Sequence, residues 1–472
     1  MRNGVGQPIV ILGAGPAGLG AAYTLKESDC HDWLVFESDT CVGGLARSFR
    51  DDRGFTWDIG GHVVFSHYGM FTRLLDELLG QDGWLHHERE CWIRVAGAWV
   101  PYPFQNNIHR LPSELRARCL EGLIEAAMNE SGTPCAHFDE FIVRTFGEGI
   151  AEVFMRPYNR KVWAYDPKEM DSGWVGERVA VPDCTRVAHN VVMHVDDVGW
   201  GPNNRFRFPL SGGTGAIWQA LGDQLPAGHV KVGYEALEVD TEARVIRFSN
   251  GAEQGYGTLI STVPLDQLAR MTGRKDLIEL TSGLKHSAVH VIGIGLAGRP
   301  TKEMRTKCWM YFPESSSPFY RVTHFSHYSP NNVDDITKHW SLMAEVSESP
   351  QKPVDAATIV DDTIKGLLIN GLIEDAAQVV HTWHHHVAYG YPTPSLGRDQ
   401  VVNKVLPALA DVDIYSRGRF GAWLYEVGNM DHSFMQGVEI VGHLLHGSPE
   451  LTVWNPRLVN QPHPVLGWDR FR

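Results

Sequence analysis

Gly13, Gly15 and Gly18 stand in a GxGxxG run, GAGPAG. At this spacing the first glycine makes a tight turn, the second lets the backbone reach a pyrophosphate, and the third allows close helix–strand packing. The run follows apolar IVIL and opens an Ala-rich stretch, while a second apolar run, WLVFE, ends in Glu37, placed to bind ribose hydroxyls. Strand, turn, helix, strand and acid in that order imply a bound dinucleotide, its phosphates at a helix N-terminus whose free N–H groups and dipole favour anions. Two further glycine pairs, Gly43–Gly44 and Gly60–Gly61, favour FAD over NAD, whose domains do not need them. His62 follows at once, so Gly60–Gly61 is expected to lie against the flavin and deliver an imidazole there; an ordinary turn is the alternative.

Aromatic and cationic residues gather elsewhere. VPYPFQNNI (100–108) sets Tyr102, Phe104 and Gln105 around two prolines. This stiff turn suits stacking on a flat polar ring, with an ordinary core turn as the alternative. Arg178 and Asn203 sit in Gly/Pro-punctuated segments that read as flaps closing over a ligand. CWMYFPESSSPFYR brings Trp309, Tyr311 and Arg321 together on strands. An arginine fork matches phosphate oxygens better than lysine does, and a solvent salt bridge is the alternative for either arginine. Near the end, a strand, a turn at Gly428 and a helix opening near Asp431-His432-Ser433 would aim a helix dipole at a reduced flavin, with Arg419 and Tyr425 just before. His381, His384, His385 and His386 are zinc-ligand types, but neighbours on a strand alternate faces and no acid or cysteine lies at ligand spacing, so no metal is expected. GxSxG, HExxH and Walker A sequences are absent. No side chain reads as a nucleophile beside its base, so the cofactor is expected to carry the chemistry.

The elements that hold these residues can be sketched from pattern. The 472 residues suffice for two or three domains, and 43% apolar with 21% charged residues is a globular composition. A net charge of −14 argues against a broad nucleic-acid surface but not against an anionic small molecule. The sequence has no apolar run long enough for a transmembrane helix and no signal-peptide pattern. Seven scattered cysteines without a CxxC pair read as free thiols in a reducing compartment, the cytoplasm. Residues 235–268 alternate like a meander turning at Asn250-Gly251. The expected fold class is α/β: a Rossmann-like FAD-binding domain of glutathione-reductase type, discontinuous over 1–90, 206–268 and 417–472. A helical domain with mobile flaps (109–205) and an antiparallel β-sheet substrate domain (91–108 and 269–416) complete it.

The ordered segments GGHVVFSHY, WVPYPFQNNI, FMRPYN, WGPN, FRFP, GGTG, CWMYFPE, PFYR, EVSES, GYPTP, IYSRGRFG and YEVGNMDHSF make the chain resemble UDP-galactopyranose mutases over nearly its whole length, the eukaryotic (fungal and protozoan) branch in particular. The resemblance implies a redox-neutral isomerase that interconverts UDP-galactopyranose and UDP-galactofuranose. In that family FAD is active when reduced, its N5 is the nucleophile at the anomeric carbon, and NADPH or NADH is the reductant. It implies FAD contacts at Gly13, Gly15, Ala17, Gly18, Glu37, Gly44, Leu45, Gly60, Gly61, Ala236, Arg419 and Gly428, Asn429, Met430, Asp431, His432 and Ser433, with His62 beside N5. Uridine would meet Tyr102, Phe104, Gln105, Phe154, Asn159 and Trp163. The pyrophosphate would meet Arg178, Arg321, Tyr311, Tyr391 and Tyr425, with Asn203 on a flap and Trp309 near the sugar; His62, Arg178 and Arg321 would be catalytic. Leu424 and Met430 depart from the Arg and Gln that family members often carry, and the C-terminus is shorter than in fungal members. No nucleic-acid or membrane partner is expected, and self-association is left open. The alternatives are a mutase for a related nucleotide sugar, an amine-oxidase-like FAD dehydrogenase with an apolar tunnel, and a non-catalytic nucleotide-sugar binder.

Overall fold

The computed structural model describes residues 7–129 and 132–461. A five-stranded parallel sheet runs in the order Ile414–Ser416, Thr258–Ser261, Ile9–Leu12, Trp33–Glu37, Val230–Val232. Its central strand is apolar without alternation because both faces are covered. Helix Pro16–Glu27 follows that strand and packs on the late helix Met430–His446. The meander is present as strands Ala236–Asp240, Val245–Phe248 and Glu253–Gly255, paired antiparallel, with Gly251 turning at φ +81°. Strand Ile414–Ser416 completes the parallel sheet although pattern placed 269–416 in the substrate domain; a strand of three residues, Ile-Tyr-Ser, is too short to leave a periodic signature that marks the boundary. Residues 462–472, assigned above to the FAD-binding domain, lie outside the described residues.

A seven-stranded sheet stands against this one, ordered Val379–Pro392, His286–Ala297, His339–Glu348, Arg321–His324, Trp309–Tyr311, Cys91–Val95, Ala98–Pro101. All its pairings are antiparallel except Trp309–Tyr311 with Cys91–Val95. The strand expected through FYRVTHFSHY stops at His324, and Phe325–Tyr328 is helical. Helices Ser113–Met128, Phe138–Ile150, Arg156–Trp163 and Cys184–Met193 form the third body. A π-turn, Ala151–Met155, joins two of them and places Phe154. Such turns are rare and concentrate at functional sites. Among the described residues, no helix is long and apolar enough to cross a membrane.

Candidate active site

A cavity of about 890 Å³ opens between the two sheets. Gly13, Gly15, Ala17, Glu37, Gly44, Leu45, Ala236 and the 428–431 turn with Ser433 line one side of it. Gly15 caps helix Pro16–Glu27 with no side-chain hydrogen bond, and no acid occupies the first turn. A Cβ on Gly15 would meet nothing nearer than 3.7 Å, the Gly44 Cα, whereas one on Gly18 would fall 1.9 Å from the Gly13 carbonyl oxygen. Gly18 therefore serves packing, and Gly15, open to the cavity, leaves room for a ligand. Gly44 is needed for its own approach to Gly15, 3.0 Å from a built Cβ to the Gly15 Cα. Gly18→Val should cost about 1–3 kcal/mol of stability in urea unfolding, through overpacking against backbone. Gly15→Ala, with φ at −77°, should leave stability near wild type while weakening flavin retention. Equal stability losses in the two variants would contradict this division. The Glu37 carboxylate accepts from the Ala14 N–H (2.6 Å) and the Asp39 N–H (2.9 Å), so it also braces the glycine turn.

Opposite the turn, Gly60 and Gly61 also come close to the second sheet. A Cβ on Gly61 would lie 2.3 Å from Thr323 Oγ1, and one on Gly60 3.2 Å from Glu345 Oε2. The pair thus lets the loop from the first sheet press against the second; Gly61 lines the cavity and Gly60 lies behind it. Gly61 N–H donates to Glu345 Oε1 at 3.0 Å, and the same buried carboxylate takes Arg321 Nε and Nη2 at 2.6 and 2.7 Å and the Tyr320 hydroxyl at 2.8 Å. Burial works to raise the Glu345 pKa, but Arg321 outweighs it and holds the carboxyl below its usual range. His62 lines the cavity, and its Nδ1 is buried without a hydrogen-bond partner. Burial, with the charges of Arg321 and Arg419 added and Glu345 opposing, pushes its pKa down to about 4, so its imidazole is neutral at pH 7.

Two guanidinium groups in the cavity, those of Arg178 and Arg419, lack a carboxylate partner among the described residues. Arg178 donates to the Glu426 carbonyl (2.9 Å) and Asn429 Oδ1 (3.2 Å), leaving its buried Nε without a partner. Arg419 donates to the Gly390 and Gly428 carbonyls. The two guanidinium carbons stand 4.7 and 5.6 Å from the Tyr425 ring centre. Tyr102, Tyr311 and Tyr391 also line the cavity, and burial raises the pKa of each, keeping the hydroxyls protonated. Asn203 reaches the wall, its Oδ1 accepting from Arg89 Nη1 at 2.6 Å. Arg89 also donates to the Val198 carbonyl and lies 4.9 Å from the Tyr102 ring centre, latching the 198–203 segment.

The remaining expected contacts stand behind this wall. Phe104 is fully buried and stacks on Phe154 at 4.6 Å. Gln105 donates to the Ala180 carbonyl, Asn159 to the Met155 carbonyl (2.8 Å), and Trp163 packs edge-on against Tyr425 at 4.7 Å. Trp309 is buried beside Phe206, and His432 is enclosed 4.5 Å from the His67 ring. Leu424 is core, and Met430 lines the cavity. Sequence reading missed Glu345, Tyr320 and Arg89. EVSES contains Glu345, but no local pattern marks which acid faces Arg321; the pairing Arg321↔Glu345 across neighbouring strands does. The histidines alternate as expected, yet Glu348 and His290 from adjacent strands stand beside His386, partners that local spacing could not reveal.

An anion-bearing dinucleotide fits these features: an uncapped helix N-terminus, room at Gly15, a cavity of sufficient size and two arginines without a carboxylate partner among the described residues. Residues 16–415 match the family described as flavin containing amine oxidoreductase. Matches among curated proteins are local. Zeta-carotene desaturase of Solanum lycopersicum is 39% identical over 70 residues, 15% of this chain and 12% of that protein. Protoporphyrinogen oxidase of Homo sapiens is 26% identical over 178 residues, 35% of this chain and 37% of that protein. This chain thus spans well under half the length of these relatives. A solved structure of reduced UDP-galactopyranose mutase aligns throughout, with a TM-score of 0.94 and 49% identity over 97% of this chain and 98% of that one. A solved structure from Exiguobacterium sp. 255-15, at TM-score 0.70 and 15% identity over 95% of this chain and 99% of that one, shares the fold. The chain belongs to the flavin containing amine oxidoreductase family, and among solved structures it stands beside UDP-galactopyranose mutase.

Proposed function

We propose that the protein interconverts the pyranose and furanose forms of UDP-galactose without net redox change, on bound, reduced FAD. The carrying observation is the pair of arginines with no carboxylate partner among the described residues, beside buried, protonated tyrosines, a wall suited to a diphosphate and unsuited to the apolar tunnel of an amine oxidase. The likeness to the solved mutase supports the same reading.

Gly13, Gly15, Gly44 and the helix N-terminus would hold the cofactor phosphates, with Glu37 at the ribose. Gly61, His62, Arg419 and residues 428–433 would hold the ring end. Bound there and reduced, the flavin would supply a nucleophilic electron pair. The side chains do the rest. Arg178 and Tyr311, Tyr391 and Tyr425 stabilise the departing diphosphate, fixed donors in a water-poor site being strongest where charge develops. Neutral His62, with an open Nδ1, can accept a proton or a hydrogen bond beside the ring. Arg321, already forked on Glu345, shapes the cavity's field more than it binds phosphate. The 198–203 segment, latched by Arg89, would cover the bound nucleotide, with uridine entering beside Tyr102 after Phe104 and Phe154 part. NADPH or NADH would supply the electrons, the eukaryotic branch is the nearer relative, and seven free cysteines suit the cytoplasm.

The experiment is anaerobic incubation of dithionite-reduced protein with UDP-galactofuranose, followed by chromatography. UDP-galactopyranose should form with reduced protein alone. Product from oxidised protein at the same rate would remove reduced flavin from the mechanism, and oxidised substrate accumulating as oxidised protein turns to reduced flavin would point to the dehydrogenase instead. Arg178→Ala should weaken UDP binding by about 2–5 kcal/mol, the loss for truncating one member of a desolvated charge pair. Unchanged UDP affinity by calorimetry would remove Arg178 from the site.

A further inference from the structure

Three adjacent strands of the seven-stranded sheet, Val379–Pro392, His286–Ala297 and His339–Glu348, bring together groups for which the proposed reaction has no use. His290 pairs directly with His386 across one strand boundary, and Glu348 lies opposite Ala288 across the other, two residues along from His290. Side chains two apart on a strand share a face, so the three converge. His290 Nε2 stands 3.0 Å and His386 Nε2 3.3 Å from the same oxygen, Glu348 Oε2, and the three ligand atoms lie within 4.8 Å of one another.

We propose that His290, Glu348 and His386 form a binding site for a divalent transition metal of the zinc class, with a fourth position open to water. An ion bonded at about 2.0–2.1 Å in a tetrahedron sets neighbouring ligands roughly 3.3 Å apart. The observed separations need only a slight opening to admit it. Two imidazoles and one carboxylate select a borderline ion over calcium or magnesium, which take all-oxygen shells. His384 supplies the outer contact such sites use: its Nε2 lies 2.9 Å from His290 Nδ1, with the rings stacked at 19°. His290 is buried and His386 exposed, so the cluster has a closed floor and an open mouth. Lys352, tethered to the Ser347 carbonyl, stands beside the cluster, and burial lowers its pKa to about 8, easing loss of its proton when a metal cation binds. His386 also borders the large cavity, and its strand carries Tyr389, Gly390 and Tyr391 into that wall. A bound ion would therefore brace three strands at the rim of the nucleotide site.

Two other histidine–carboxylate groups have different employment. His67 binds Asp431 through both its backbone N–H and its ring at the start of the flavin-facing helix, and the Asp51 carboxylate already takes the Trp57 indole N–H at 2.7 Å. Both offer internal controls.

The test uses full-length, flavin-loaded protein dialysed against EDTA and titrated with Zn²⁺ against a chromophoric chelator at pH 7.5. One tight equivalent is expected, raising Tm, with cobalt giving the visible absorption of a four-coordinate ion. His386→Ala and the near-isosteric Glu348→Gln should each weaken Zn²⁺ binding at least tenfold and abolish the Tm rise, while Asp51→Asn retains both. Absence of tight binding by wild type, unchanged affinity in Glu348→Gln, or loss in Asp51→Asn instead would overturn the assignment. None of these readouts requires turnover, so the site stands or falls apart from the proposed reaction.

Discussion

Arg321→Ala is expected to destabilise the flavin-loaded protein by about 3–5 kcal/mol in urea unfolding, the cost of removing one partner from a buried ion pair. Glu345 is 1% exposed, and without the guanidinium it keeps only the Tyr320 hydroxyl and the Gly61 N–H. Burial then governs its pKa and raises it above the unfolded value. A carboxyl raised on folding binds more protons in the native state, so stability falls as pH rises through that interval. The Arg321→Ala deficit should therefore be larger at pH 8 than at pH 5, and Glu345→Gln added to Arg321→Ala should recover part of it at pH 8. A loss under about 1 kcal/mol, or one indifferent to pH, would show that the pair is not the clamp between the two sheets.

His62→Ala should retain flavin, because the imidazole makes no hydrogen bond through Nδ1 that holds the wall together. Turnover should fall about 10²–10⁴-fold, the usual worth of a positioned proton carrier. The variant should also change the acid limb of stability. His62 titrates near 4 in the folded protein, against 6.5 when unperturbed. A base depressed on folding contributes stability that is complete above 6.5 and lost as pH falls toward 4. The difference of about 2.5 pKa units corresponds to about 3 kcal/mol. Wild type should thus lose more stability than His62→Ala over that interval. Parallel pH profiles, or wild-type turnover in the variant, would remove the imidazole from this role.

The glycine turn with its strand, helix and acid was legible because each part is local: Gly13, Gly18 and Glu37 act within about thirty residues. The meander and its Asn250-Gly251 turn were legible for the same reason. Glu345, Tyr320 and Arg89 were not, since their roles arise from contacts between strands and loops far apart in the chain. Gly60–Gly61 shows the limit sharply. A glycine pair announces a close approach without naming every neighbour, and Thr323 and Glu345 are two that no local pattern pointed to. Phe104, Gln105 and Asn159 show another: residue type suggests base recognition, while how deeply each side chain stands is set by packing that no local pattern carries. The His384–His386 run lacked a carboxylate only in one dimension.

The parallel sheet draws on residues 9–37, 230–261 and 414–416, and its first helix rests on one that ends at His446. During translation at 5–20 residues per second, roughly 20–80 s separate the first strand from the last. Through that interval the Thr258–Ser261 edge waits without its neighbour, a bare ladder of the kind that invites mispairing. Cofactor loading is accordingly expected to wait for these late segments, and nascent chains halted before residue 414 should be clients for chaperones rather than precursors of a flavoprotein.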